Sequence, residues 1–150
     1  MVFFCENLLF LCLNRNLFVI FQISLYELKC SINRLFRQSK LKEKVYEILK
    51  WIPQGKVVTY GQIAECLGDK RLSRVIGNVL HQNPDEFKYP CYKVVNCKGD
   101  LSESYAFGGI EAQKRKLESE GIQVVNNKVN CHEYQLSDDE MKIIINKMKI

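Results

Sequence analysis

Histidine is scarce in this 150-residue sequence: His81 and His132 are the only two, and they stand apart. Its seven cysteines are Cys5, Cys12, Cys30, Cys66, Cys91, Cys97 and Cys131, and no two form a Cys-x-x-Cys pair. No Cys/His cluster has zinc-ligand spacing, so neither a structural metal nor any cofactor is expected. An odd cysteine count without pairing argues against a disulfide framework. It fits reduced intracellular thiols, mostly buried as small apolar residues. There is no internal repeat and no low-complexity tract, which excludes solenoids and biased-composition tails. No unbroken apolar stretch reaches the roughly 20 residues of a spanning helix, because Asn14-Arg15-Asn16 interrupts the N-terminal run. A secretory signal is not expected either: Glu6 sits near the start and no Ala-x-Ala follows.

What is present is a chain long enough for one domain, or for one domain and an appendage. Hydrophobic residues make up 47%, enough for a packed core, and the formal net charge is +5. A basic excess of this size favours an anionic partner such as nucleic acid. Residues 1–40 differ from the rest, with Phe, Leu, Ile and Val dense up to Tyr26. This apolar appendage reads as an added helix or poorly packed segment, as a helix covering the domain, or as a membrane anchor.

From Leu41 the pattern sharpens. Leu41, Val45, Ile48, Leu49 and Ile52 recur at helical spacing, and Pro53-Gln54-Gly55 ends that helix. Thr59 is a suitable N-cap for a helix through Ile63 and Cys66. Gly68 suits a left-handed cap, and Leu72–Gln82 reads as a second helix. Helix, glycine turn, helix over 59–82 is a helix-turn-helix pattern. Val94-Val95 reads as a short strand, and Ala106-Phe107-Gly108-Gly109 as a loop. Glu111–Glu120 reads as a helix closed by Gly121. Asn126-Asn127-Lys128 lies at the tip of a hairpin. Ser137-x-x-Glu140 is a capping box that opens a C-terminal helix over 137–150.

The most specific stretch is Tyr89-Pro90-Cys91-Tyr92-Lys93-Val94-Val95-Asn96. Upstream, in order, come Val57-Val58-Thr59-Tyr60-Gly61-Gln62, Arg74-Val75-Ile76-Gly77-Asn78 and Asn83-Pro84. These pieces, over residues 41–136, resemble the DNA-binding domain of O6-alkylguanine-DNA alkyltransferases and their alkyltransferase-like relatives. The resemblance implies a mainly α, winged-helix-like helix-turn-helix domain with a small β element. It implies a monomer that binds double-stranded DNA through the minor groove, in the cytoplasm or associated with the nucleoid or nucleus. Nucleotide-excision-repair proteins are further partners it suggests.

In that family a cysteine in Pro-Cys-His-Arg-Val takes the alkyl group from a flipped-out guanine. Here the motif reads Pro90-Cys91-Tyr92-Lys93-Val94, so the cysteine is present and the histidine is replaced. The thiolate is the nucleophile, so its proton must be removed. Family members use the histidine, a water and a late glutamate, which Glu120 matches. Tyr92 takes the histidine position, and a phenol with a pKa of about 10 is a poor base at neutral pH. Asn83 corresponds to the asparagine that braces the turn around the cysteine. The resemblance assigns DNA contacts to Tyr60, Leu72, Ser73, Arg74 and Gly77, with Arg74 filling the stack vacated by the flipped base. It assigns the alkylguanine pocket to Tyr105, Ala106, Phe107 and Gly108. Glu111 onward is closer to the alkyltransferase-like branch, which usually has tryptophan where this chain has Cys91. Two functions follow: single-turnover alkyl transfer to Cys91, or lesion recognition that hands the damage to other repair factors. A sequence-specific regulator is a third, but Leu72, Ser73, Val75 and Gly77 suit groove filling better than base reading.

Overall fold

A computed structural model describes residues 15–148, with side chains from Leu25 onward. The chain divides into two compact units between Lys40 and Leu41. The helix α1 (Arg15–Lys50) runs through that boundary. Within the first unit, every described side chain is exposed, including Tyr26, Leu28, Ile32, Leu35 and Phe36. No helix among the described residues is long and apolar enough to cross a membrane. The expectations for Met1–Asn14 fall outside the described residues.

The second unit begins where α1 acquires its helical stripe. Val45, Ile48 and Leu49 are fully buried and Ile52 nearly so, as their spacing predicts. The chain then enters β1 (Val58–Thr59) and α2 (Tyr60–Cys66). Thr59 caps α2 reciprocally: its Oγ1 accepts from the Gln62 amide at 3.1 Å and its own amide donates to Gln62 Oε1 at 3.1 Å. Gly68, at φ 86°, supplies the left-handed turn after α2. A short 3₁₀ turn (Lys70–Leu72) precedes α3 (Ser73–His81), which is therefore shorter than the sequence pattern suggests. Ile76, Val79 and Leu80 bury one face of α3 against α1 and α2. Tyr46 ties α1 to the end of that helix, donating from its hydroxyl to the carbonyls of Val79 and Gln82, both at 3.1 Å.

Beyond α3, a 3₁₀ turn (Cys91–Lys93) leads into β2 (Val94–Val95). β2 pairs with β1 in parallel, Val58 opposite Val94 and Thr59 opposite Val95. The helix-turn-helix is thus the crossover of a parallel strand pair. α4 (Gly109–Ser119) follows the loop after β2. The expected hairpin is β3 (Val124–Val125) and β4 (Lys128–Val129), turned by Asn126 and Asn127, both at positive φ. A single helical turn, α5 (Cys131–Tyr134), and α6 (Asp138–Met148) end the described chain. The Ser137–Glu140 capping box opens α6, with the Ser137 amide 2.7 Å from Glu140 Oε2. Met141 and Ile144 join the core that holds Val45, Ile63 and Leu136. A second core, around Val57, Val95, Leu117, Ile122 and Val129, joins the strands to α4 and the hairpin. The architecture is mainly helical with two small sheets, a helix-turn-helix domain as the motif predicts.

Candidate functional site: a thiol under the second helix

Cys91 begins the 3₁₀ turn before β2 and is 5% exposed. Its amide donates to the Tyr89 carbonyl at 2.7 Å, which bends the chain sharply after Pro90. Asn83 holds that bend from the end of α3. Its Nδ2 donates to the Tyr89 carbonyl at 2.8 Å and to Cys91 Sγ at 3.0 Å. Tyr89 is itself anchored by stacking on Tyr46, with ring centroids 4.6 Å apart. The thiol position is therefore fixed from α1, from α3 and from the local turn together.

A cavity of about 300 Å³ opens over the sulfur. Tyr60, Gly77, Cys91, Tyr105 and Ala106, all expected at the site, line it. Asn78, Leu80, His81, Ser102 and Ser104 line it as well and carried no motif signal of their own. Asn78, Leu80 and His81 follow from helix geometry, lying about one turn from Gly77, whereas Ser102 and Ser104 come from the loop after β2. His81 Nδ1 lies 3.0 Å from the Ser104 carbonyl, which joins α3 to the loop that forms the opposite wall. A carbonyl accepts, so Nδ1 is the donor in this bond. A Cβ on Gly77 would meet only the Tyr60 ring, at 3.9 Å, so the glycine leaves space in the cavity rather than relieving a clash.

Phe107 and Gly108 stand outside the lining. Phe107 packs on Tyr105, with ring centroids 5.8 Å apart. Gly108, at φ 114°, is the left-handed residue that starts α4, and a Cβ there would press on Ala112 at 3.0 Å. Leu72, Ser73 and Arg74 also lie outside the cavity, at the start of α3. Leu72 packs partly into the core, Ser73 Oγ donates to the Lys70 carbonyl at 2.9 Å, and Arg74 is exposed. Around them, Lys70 pairs with Glu65 at 3.1 Å and Arg71 with Asp69 at 2.9 Å. Among the described residues no carboxylate pairs with Arg74, so its charge is available to a partner.

Behind the thiol lies a second polar group. Tyr92 donates its phenol proton to Glu120 Oε1 at 2.6 Å. Glu120 Oε2 takes the Lys93 ammonium at 2.9 Å and the Gly55 amide at 3.1 Å. Lys93 is 5% exposed and was missed in the sequence, where a lysine after Tyr92 reads as surface charge. Its Nζ also donates to the Pro53 carbonyl at 3.1 Å and the Ile52 carbonyl at 3.4 Å. Burial raises the Glu120 carboxyl, but the bonds from Tyr92, Lys93 and Gly55 outweigh it and hold the carboxyl below its ordinary range. Burial, then the Glu120 carboxylate, push the Tyr92 phenol well above its ordinary value. Burial likewise pushes the Cys91 thiol up, and the Asn83 amide only partly offsets that. At neutral pH the site holds a neutral thiol, a neutral phenol and an ionised glutamate already bound to a lysine.

A third cluster, centred on Glu86, also escaped sequence reading. Tyr105 donates to Glu86 Oε2 at 2.7 Å, and Lys116 pairs with Glu86 Oε1 at 3.1 Å. No His/Cys/Asp/Glu group among the described residues is arranged to hold a metal ion.

Known proteins are similar to this domain in sequence and fold. The model for the 6-O-methylguanine DNA methyltransferase DNA binding domain matches residues 40–122. Alkyltransferase-like protein 1 of Schizosaccharomyces pombe is 33% identical over 101 residues, 67% of this chain and 92% of its own. A bifunctional methyltransferase/endonuclease of Picrophilus torridus is 36% identical over 94 residues, which are 63% of this chain and 31% of that protein. The chain thus spans less than a third of that larger relative. The crystal structure of S. pombe Atl1 in complex with damaged DNA containing O6-carboxymethylguanine superposes with a TM-score of 0.61 at 32% identity, covering 66% of this chain and 96% of that one. The relatives thus include proteins named as methyltransferases and proteins named as alkyltransferase-like. With more than half its length matched, this chain belongs to the family of the 6-O-methylguanine DNA methyltransferase DNA-binding domain.

Proposed function

We propose that this protein recognises O6-alkylguanine in duplex DNA and flips it into the cavity over Cys91. The observation that carries the reading is the position of Cys91 Sγ under a cavity of about 300 Å³ walled by α3 and the Tyr105 loop. The likeness to S. pombe Atl1, solved with damaged DNA containing O6-carboxymethylguanine, supports it. α3 enters the minor groove, and the unpaired Arg74 guanidinium fills the vacated stack. Extruding a base costs a few kcal/mol, least for a damaged pair, and a stacked cation offsets part of that. Tyr60 stands beside the target phosphate, and Gly77 leaves room for the base to pass. Phe107 and Gly108 shape the pocket from behind rather than touching the base. The protein acts as a monomer and passes unrepaired lesions to excision-repair factors.

Alkyl transfer to Cys91 is slow chemistry at this site. The thiolate would attack the alkyl carbon, forming S–C as C–O6 breaks, and the guanine takes up a proton. The thiol must first lose its own proton, and at neutral pH it is buried and neutral, with the Tyr92 phenol bound to Glu120 and Glu120 bound to Lys93. The test is anisotropy of labelled duplexes with and without O6-methylguanine, paired with intact-mass analysis. Equal affinity for both duplexes would end the recognition reading. Rapid, complete gain of one methyl on Cys91 at neutral pH would replace slow transfer by efficient repair.

A further inference from the structure

We propose that Glu86, acting through Tyr105, is a positioning residue that holds Cys91 as a thiol and so restrains alkyl transfer. The inference deepens the function above, since the restrained sulfur is the one placed under the lesion. Glu86 lies in the loop between α3 and Cys91, its side chain 16% exposed. The Tyr105 hydroxyl donates to Glu86 Oε2 at 2.7 Å, and Tyr105 shares the cavity lining with Cys91. A Tyr105 hydroxyl that donated to the sulfur instead would favour the thiolate and lower the thiol. A hydroxyl has one proton to give. While it goes to Glu86, the phenol oxygen can accept from the Cys91 S–H but cannot donate to a thiolate.

Charge acts in the same direction. Glu86 is the charged group that raises the Cys91 thiol, against the Asn83 and Tyr105 side chains that lower it, and His81 lines the same cavity. The nearby cations are occupied, Lys93 by Glu120 and Lys116 by Glu86. A negative carboxylate one side chain away disfavours a second negative charge. Burial remains the largest cause of the raised thiol, and Glu86 adds to it.

The test is the pH profile of Cys91 alkylation by iodoacetamide, read by peptide mass, which needs neither DNA nor lesion binding. Glu86→Gln should lower the pH of half-reaction by about one unit and raise the neutral-pH rate on the order of tenfold. Lys116→Met leaves the carboxylate but removes its counter-charge, and should slow the reaction. Opposite signs separate charge control from loosened packing, which would move both variants the same way. Tyr105→Phe should shrink the effect of Glu86→Gln, because the donor it frees is gone. An unchanged profile in Glu86→Gln, a slower reaction, or a common direction for both charge variants would overturn the inference. Should the recognition reading fail in the duplex assay, these thiol measurements would still stand.

Discussion

Tyr92 gives its phenol proton to Glu120, 2.6 Å away, so the residue that follows the cysteine has its one hydroxyl proton committed away from the thiol. The same carboxylate binds Lys93 at 2.9 Å, and the three side chains form a connected polar unit. The bonds that stabilise this unit also remove its capacity to act as a base.

Replacing Tyr92 by histidine should restore that capacity. Imidazole titrates near neutrality, and its other nitrogen can donate to Glu120. Tyr92→His should speed methyl transfer from an O6-methylguanine duplex at neutral pH, on the order of a hundredfold. The natural protein should instead accelerate toward and beyond the free-thiol range of about 8.5. Single-turnover transfer rates across pH check both; a flat profile in the natural protein would mean another group activates Cys91.

Lys93→Met should destabilise the fold by about 3–5 kcal/mol, because it leaves Glu120 buried without its cation. The Glu120 carboxyl is depressed in the folded state. Its contribution is therefore complete above the unfolded carboxyl value of about 4.3, and is lost as pH falls through the lower folded value. Denaturant titrations of the natural protein and Glu120→Gln should show a gap at neutral pH that narrows in acid. A gap that widens in acid would contradict this account of the pair.

Arg74→Ala should weaken binding to a lesion-bearing duplex on the order of tenfold, as the vacated stack loses its filler. Thermal stability should not change, since the side chain is exposed. Affinity of the natural protein should fall with added salt as phosphate contacts are screened. Anisotropy titrations decide it, and equal affinity in the variant would take Arg74 out of the interface.

Gly99→Ala should cost on the order of 1–3 kcal/mol. Gly99 has φ 81°, and a Cβ there would lie 2.1 Å from the Val129 carbonyl oxygen. The Val129 amide bonds to the Gly99 carbonyl at 2.9 Å, so the clash falls where the hairpin joins the body. A melting temperature equal to that of the natural protein would mean that the turn can rearrange freely.

The local signals were the legible part. Thr59 caps α2, Gly68 turns after it, the paired asparagines turn the hairpin, and Ser137 caps α6, because each is decided by a few neighbouring residues. The motif also placed Cys91 and Asn83 together. What stayed hidden depends on long-range meetings. Lys93 reads as surface charge until the Ile52–Pro53 carbonyls and Glu120 close around it. Glu86 reads as a loop acid until Tyr105 folds over it. Val94-Val95 reads as a strand, but its parallel pairing with the two-residue β1 has no local signal to detect. Tyr105 lines the cavity and Phe107 packs on Tyr105, a division between two neighbouring aromatics that the loop's sequence does not carry.

The parallel pairing of Val58–Thr59 with Val94–Val95 makes a rigid gauge. One strand runs straight into the helix pair and the other straight out of the thiol turn. The span from the α3 surface to the sulfur is thus set by backbone hydrogen bonds and not by a hinge. A purine buried in a duplex could meet this sulfur only by leaving its own stack, and the distance it must travel is written into the protein before any DNA arrives.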